Sequence, residues 1–292
     1  MGILEELKQN YKNGTVLIKL IYINIAVFLL DKGINLVYYI FTGDSNDIFY
    51  DWLAVHSNYW DIIYRPWTIL TYMFMHANFW HILFNLLWLF WFGQIFLQYL
   101  DQKKLLNVYI LGGFCGALFY AVSYNLFPAF EFLRSYSIPL IGASAAITAI
   151  VIAISVIVPD YTLNLLFLGP VKLKYIAIVS LIIDAISIQY SNAGGYISHL
   201  GGAFFGFLFA VRYKSGKDLT KGFGRLLDSL FSFFKARKKL KVGYKRPLDD
   251  FEYNKMKVDN QKEIDRILDK IAKGGYESLT REEKDFLFKA SK

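Results

Sequence analysis

Residues 79–100 read FWHILFNLLWLFWFGQIFLQYL, a continuous apolar run without an acidic residue, a lysine or an arginine. A helix needs about 20 mostly apolar residues to cross a bilayer, so this stretch predicts a membrane span. His81 and Asn85 lie within it, four residues apart and therefore on one face of the helix. Polar groups inside a bilayer tend to face the interior of the helical bundle and often mark function.

Five further apolar segments complete a set of six predicted spans. With 79–100 as the second, the others cover about 16–41, 104–127, 143–158, 170–190 and 193–213. The 292 residues are 55% apolar and 19% charged, whereas soluble domains have roughly 45–50% apolar and about 25% charged residues. We therefore predict an all-α, polytopic membrane protein with a six-transmembrane-helix bundle. A single cysteine allows neither an internal disulfide nor a cysteine zinc site, and we expect no metal and no cofactor.

Basic residues at the ends of the spans predict the orientation of the chain. Those that fall on one side of the membrane are Lys8, Lys12, Lys103, Lys104, Lys172, Lys174, Arg212, Lys214 and Lys217. Short cytoplasmic loops carry an excess of Lys and Arg, so both termini are predicted to be cytoplasmic. We expect a multi-pass protein of a bacterial inner (cytoplasmic) membrane.

Charge also separates an apolar body from a basic tail. Residues 212–292 hold 22 Lys and Arg against 13 Asp and Glu, whereas residues 1–211 hold 10 against 11. After a membrane domain, a basic tail marks the cytoplasmic side, and we expect no nucleic-acid partner. Four domains are predicted: a cytoplasmic N-terminal segment (1–15), the membrane domain (16–214), a basic amphipathic linker (215–254) and a small helical hairpin (255–292). Three roles for the tail stay open: it binds a cytoplasmic partner, it self-associates, or it caps the end of the chain.

Ser144 stands at the start of the fourth span, in the sequence IGASAA. The first turn of a helix has free backbone N–H groups and the positive end of the helix dipole. The same span carries Ala145, Ala149 and Ala153 in a row that lets another backbone approach closely. Ser144 is therefore either a small residue for packing or a nucleophile.

His199 belongs to the sixth span, beside a row formed by Ser198, Gly202 and Gly206. Small residues spaced by four allow helices to pack closely. Both this span and the fourth are predicted to begin on the outer side, so His199 and Ser144 lie at similar depths. A histidine next to a serine on two close helices predicts a nucleophile and its general base.

Three further polar side chains are candidates for the same site. An acyl-transfer reaction needs hydrogen-bond donors for its oxyanion, and His81, Asn85 and the backbone N–H of Ser144 are the candidates. Asp184 is an acid in the outer half of the fifth span, where a charge costs roughly 3 kcal/mol on insertion scales. It either assists His199 or makes an interhelical hydrogen bond.

The ordered set of motifs resembles the rhomboid family of intramembrane serine proteases over about residues 60–210. The matching residues are His76, His81, Asn85, Gly142, Ser144, His199, Gly202 and Gly206. The resemblance implies a six-helix fold and a Ser–His dyad, with Ser144 as nucleophile and His199 as base. It further implies that His81 and Asn85 complete the oxyanion hole and that Gly142 forms the tight turn before the nucleophile. Transmembrane proteins within the lipid bilayer would be the substrates. His76 is expected to be structural, with a direct role left open.

The sequence departs from the family pattern at three places. Ala145 stands where Gly-x-Ser-Gly has its last glycine, and Thr148 stands where an aromatic residue often stacks on the histidine. The Trp-Arg pair of the first outer loop appears as Trp67-Thr68, with Arg65 nearby. The change at Thr148 means that His199 must be oriented in another way.

Two other functions compete with an intramembrane serine endopeptidase. One is a catalytically inactive rhomboid-like protein that binds or chaperones membrane clients. The other is a transporter with a proton relay through His81, Asn85, Asp184 and His199. The presence of both a serine and a histidine favours the protease, and a transporter would more often show repeats and interrupted helices.

Overall fold

The structure is a computed structural model and describes residues 2–45, 47–134, 136–165, 169–190, 192–234 and 249–290. The chain divides into two compact units, Met1–Lys235 and Ala236–Lys292. Both units are mainly helical where they are described. The first unit contains all the predicted spans and every candidate site residue.

The described part of the first unit contains eleven α-helices and two short 3-10 helices, Tyr72–Phe74 and Pro128–Leu133. In chain order the α-helices are α1 (Ile3–Asn13), α2 (Val16–Thr42), α3 (Tyr50–Leu53), α4 (Tyr59–Tyr64), α5 (Thr68–Thr71), α6 (Phe79–Tyr99), α7 (Gln102–Leu126), α8 (Ser144–Ile157), α9 (Leu173–Ser187), α10 (Ala193–Lys214) and α11 (Lys221–Phe234). Helices α2, α6, α7 and α10 are long and apolar enough to cross a membrane, and α8 is a shorter apolar helix. The expectation of an apolar helical membrane protein is thus confirmed, while the count of six spans stays a prediction.

Side-chain caps define where three of the long helices begin. The Asn78 side chain accepts a hydrogen bond from the backbone N–H of His81 at 2.9 Å, and Asp101 accepts one from Lys104 at 2.9 Å. Asn192, in the left-handed conformation, accepts one from Gly195 at 3.3 Å. Each cap satisfies an N–H that has no partner inside its helix. The caps of α6 and α10 hold the ends of the helices that carry His81 and His199.

Helix α8 forms the centre of the bundle. Ten of its 14 residues are buried, and it packs against α6, α7, α9 and α10. A helix that is apolar on all sides is suited to such a position. Its first residue, Ser144, defines what we call the Ser144 end of the bundle.

Two short strands join distant parts of the chain at the Ser144 end. Strand β1 (Val55–His56) pairs antiparallel with β2 (Pro139–Leu140). The pairing continues where the backbone N–H of Ser57 donates to the carbonyl of Ile138 at 2.9 Å. The segment before Ser144 is therefore fixed to the loop that precedes α6.

A second hairpin replaces the start of the predicted fifth span. Strand β3 (Thr162–Leu165) pairs antiparallel with β4 (Gly169–Lys172), and α9 begins only after it. The expectation of a helix from residue 170 is therefore wrong for 170–172, whose backbone pairs across the hairpin. The prediction of an all-α protein did not include these two strands or strands β1 and β2.

Helix α11 packs against α7 at the end of the bundle opposite Ser144. The rings of Phe223 and Phe114 meet at 6.2 Å, and Lys103 pairs with Asp228 at 2.8 Å. It lies within the basic amphipathic linker predicted over 215–254, of which residues 235–248 fall outside the described residues. The first half of the predicted linker thus packs on the membrane domain.

The second unit is a pair of helices, α12 (Asp250–Gly274) and α13 (Arg281–Ala290). Gly275 ends α12 with a positive φ of 74°. A capping box starts α13, because Glu283 accepts from the N–H of Thr280 at 2.8 Å and Thr280 from that of Glu283 at 3.3 Å. Ile267 and Leu279 are buried, while Leu268 is half exposed.

Candidate active site

Ser144 is the first residue of α8 and is partly buried. Its hydroxyl lies where the backbone N–H groups of the first turn have no acceptor within the helix. The positive end of the helix dipole lies at the same place and favours negative charge. A charge developing beside this hydroxyl would therefore be stabilised by the helix itself.

Gly142 shapes the turn before Ser144. Its φ of 125° is a conformation that side chains rarely allow. A Cβ there would lie 3.0 Å from His81 Nε2 and 3.6 Å from Ser144 Oγ. The backbone N–H of Gly142 donates to the carbonyl of Tyr72 at 2.9 Å. A glycine is required here because any side chain would strain the turn and crowd the space between the histidine and the serine.

His81 lies in the first turn of α6 with a defined tautomer. The backbone N–H of Ala77 donates to its Nδ1 at 3.3 Å. A neutral imidazole that accepts at Nδ1 carries its hydrogen on Nε2, which lies 3.0 Å from the position that a Cβ of Gly142 would take. His81 therefore presents an N–H donor beside the turn that holds Ser144.

Asn85 lies one turn further along α6 and is buried. Its Nδ2 donates to the carbonyl of His81 at 2.7 Å. An amide nitrogen has two N–H groups, so one remains for another acceptor. The hydrogen bond to the helix backbone fixes the side chain on the face that His81 occupies.

Helix α10 comes into backbone contact with α8 through glycines. A Cβ at Gly202 would lie 2.0 Å from the carbonyl oxygen of Ala145, and one at Gly206 would lie 2.3 Å from that of Ala149. No real Cβ approaches an oxygen so closely. The two helices can therefore lie at this separation only because residues 202 and 206 are glycines. The two rows of small residues are thus in contact, and this brings His199 to the side of α8 that carries Ser144.

The His199 ring contacts Asp184 and Tyr196. Its Nδ1 lies 3.0 Å from Asp184 Oδ1 on α9. The Tyr196 ring lies 6.0 Å from the His199 ring, nearly perpendicular to it. Sequence reasoning missed Tyr196, although its position three residues before His199 on the same helix was a usable signal. Thr148 instead donates to the carbonyl of Ser144 at 2.8 Å.

A cavity of about 550 Å³ joins these side chains. Ser144, His199, His81, Asn85 and Asp184 all line it. Its walls come from α6, α8, α9 and α10. The predicted catalytic and oxyanion residues thus share one space, which is large enough for several residues of an unwound peptide.

His76 lies apart from the cavity. It is buried, and its Nδ1 lies 3.2 Å from the carbonyl of Phe74. Burial, with a contribution from the neighbouring His81, lowers the pKa of His76 to about 4. Its ring packs edge-on against the His81 ring at 5.1 Å, so it supports His81 from behind.

Comparison with known families gives two matches. Residues 64–215 match the Rhomboid domain, and residues 249–292 match a family of unknown function, DUF6576. No curated protein matches the chain. The first match covers more than half of the sequence and includes every residue of the cavity.

Proposed function

The chain belongs to the rhomboid family, and on that basis we propose that it is a serine endopeptidase that hydrolyses peptide bonds within or next to transmembrane segments. The observation that carries the proposal is the single cavity lined by Ser144, His199 and His81. A nucleophile, a base and a preformed donor are the minimum for acyl transfer. The alternative is that this chain is a catalytically inactive member of the family that binds membrane clients.

In the first half of the reaction, Ser144 Oγ attacks the carbonyl carbon of the scissile bond. Its proton passes to Nε2 of His199, which then donates it to the nitrogen of the leaving amine. The products are an acyl-enzyme ester at Ser144 and a new N-terminus. In the second half, water loses a proton to His199 and attacks the ester, and the proton returns to Ser144.

The oxyanion is stabilised by three donors in this proposal. They are the Ser144 backbone N–H, the Nε2–H of His81 and the free Nδ2–H of Asn85. Each donor of this kind typically contributes about 10²–10³ in rate. Gly142 leaves the space in which the oxyanion forms, between His81 and Ser144.

We extend the proposal to six spans, with α8 and α9 as the fourth and fifth. These helices have 14 and 15 residues, which correspond to about 21–23 Å at 1.5 Å per residue. This length is sufficient for α8 to serve as a span because the surrounding helices shield it from the lipid. The positive-inside pattern supports cytoplasmic termini in a bacterial inner membrane, with the Ser144 end facing outward.

Substrate is proposed to reach the cavity from the lipid, between α6 and α9. Trp80 and Phe84 of α6 are exposed and line the cavity, as does Ser180 of α9. A peptide bond in a helix is shielded by its own hydrogen bonds, so the substrate must unwind near the outer surface. Segments with weak helix formers unwind at the lowest cost, and the family resemblance favours a small residue before the cut.

The function is tested by labelling with a fluorophosphonate probe and by cleavage of a single-span substrate in proteoliposomes. The parent is expected to react in both assays, while Ser144→Ala and His199→Ala lose cleavage and keep their fold. Ser155→Ala is the control, since this serine is buried in the same helix away from the cavity. A parent that neither labels nor cleaves would support the inactive alternative. Parental turnover in either variant would remove that residue from the dyad.

A further inference from the structure

The contact between Asp184 and His199 joins two different helices. Asp184 Oδ1 on α9 lies 3.0 Å from Nδ1 of His199 on α10. The side chains are 13% and 21% exposed, respectively. A carboxylate has no hydrogen to give, so Nδ1 must be the donor. The neutral ring then has its lone pair on Nε2.

We propose that Asp184 is a positioning residue that holds His199 in the Nδ1–H tautomer, leaving Nε2 to accept the proton of Ser144. The inference rests on the proposed function and adds a third member to the dyad. A carboxylate in this place selects one of two tautomers and stabilises the imidazolium that forms during attack. The acid provides an orientation of the ring that Thr148, in the place of the family's aromatic residue, cannot provide.

Tyr196 completes the placement of the ring. It lies on the same helix as His199, and its ring is nearly perpendicular to the imidazole at 6.0 Å. An edge-to-face contact limits rotation of the imidazole about its Cβ–Cγ bond. Asp184 fixes the hydrogen on Nδ1, while Tyr196 limits the tilt of the ring.

The acid belongs to the least buried of the helices around the cavity. Of the 15 residues of α9, Leu173 and Ala177 are buried, and both lie in the half distant from the Ser144 end. The half that carries Asp184 exposes Ile182, Ile183 and Ile186 by more than half of their surface. The hydrogen bond to His199 therefore depends on the position of α9 relative to α10.

The test compares Asp184→Asn, Asp184→Ala and Asp184→Glu with the parent in proteoliposomes. An amide can donate to Nδ1 and so stabilise the wrong tautomer. We expect Asp184→Asn to lower kcat by about 10²-fold or more, with KM changed by less than about threefold because the substrate does not touch this group. Asp184→Glu should recover part of kcat. Asp160→Asn is the matched control, since it removes another paired carboxylate far from the cavity.

A spectroscopic readout separates positioning from a general structural role. Nitrogen NMR of histidine-labelled protein distinguishes Nδ1–H from Nε2–H imidazoles, and His199→Gln identifies the signal of His199. That signal should report Nδ1–H in the parent and lose this character in Asp184→Asn. A parental kcat in both Asp184→Asn and Asp184→Ala overturns the inference, as does an unchanged His199 signal. A parent that neither cleaves nor labels with the probe overturns the proposed function first, so the two failures are distinguishable.

Discussion

The carbonyl oxygen of Ala145 occupies the place where any side chain at Gly202 would begin, since a Cβ there would be 2.0 Å away. Ala145 follows the candidate nucleophile directly, and Gly202 lies one turn from the candidate base. The separation of α8 and α10 beside the two reacting groups is therefore set by a backbone contact at Gly202.

Gly202→Ala should separate α8 from α10 and reduce both stability and activity. Overpacking of this kind costs typically about 1–3 kcal/mol, and misplacement of a reacting group by about 1 Å can cost 10²-fold in rate. Thermal unfolding in detergent and turnover of a single-span substrate measure the two effects. Gly33→Ala is the control, because a Cβ at this position in α2 meets nothing within 4 Å. Equal losses in both variants would contradict the proposed contact.

His81→Ala should slow cleavage more than Asn85→Ala. His81 directs its Nε2–H toward the turn before Ser144, whereas Asn85 already gives one N–H to the His81 carbonyl. We expect losses in kcat of about 10²–10³ for His81→Ala and about tenfold for Asn85→Ala. Single-turnover rates of the two variants and of the double variant measure this. A double variant at the parental rate would exclude both from the oxyanion hole.

Pinning α6 to α9 should block transmembrane substrates but not small reagents. Cysteines replacing Phe84 and Ser180, in a Cys115→Ala background, are joined by thiol crosslinkers of increasing length. Short linkers should slow cleavage of a single-span protein by at least about tenfold if opening gates access. The fluorophosphonate probe should still label Ser144, which shows that the site itself is intact. Equal cleavage with the shortest linker would place the path of substrate elsewhere.

Removal of residues 235–292 should leave cleavage unchanged, whereas removal from residue 214 onward should destabilise the bundle. The second truncation deletes α11, whose Phe223 packs on Phe114, and Thr220, which is fully buried. A loss of about 0.5–1.5 kcal/mol is expected from removing this partly buried aromatic contact. Thermal unfolding of the two truncations in the same detergent measures it. A lower melting temperature in the shorter deletion would contradict the assignment of α11 to the membrane unit.

Thermal stability should fall as the pH is lowered from about 6.5 to about 4 because of His76. The pKa of this buried histidine is lowered to about 4 from 6.5, so the unfolded chain binds a proton in this range and the folded chain does not. The stabilisation is complete above pH 6.5 and is lost toward pH 4. A difference of about 1 kcal/mol shifts Tm by roughly 2–4 °C. His76→Phe, which keeps a ring but cannot titrate, should show a smaller change of Tm than the parent.

Local patterns predicted much of the fold. The four helices long enough to cross a membrane follow from apolar length, and the contact of α8 with α10 follows from the spacing of Gly202, Gly206 and the alanine row. The capping box at Thr280 is equally local. Each of these patterns can be read within one helix, so the sequence alone contains the necessary information.

Contacts between different parts of the chain were harder to predict from the sequence. The pairing of Val55 with Leu140 joins two-residue strands that have no periodicity to detect. The hydrogen bond from His199 to Asp184 depends on how α9 rotates against α10, which no spacing fixes. The sequence indicated that an acid lay at the right depth and that the histidine lacked its aromatic partner, but not that the first compensates for the second.

The burial of α8 beneath α10 bears on how the protein is made. Ribosomes deliver α6 and α8 to the membrane well before α10, so a nascent chain holds Ser144 and His81 without His199. On the proposed function, such a chain has no general base and cannot hydrolyse the proteins around it. Hydrolytic competence would arise only when α10 packs against Ala145 and Ala149, after the nucleophile has already been placed.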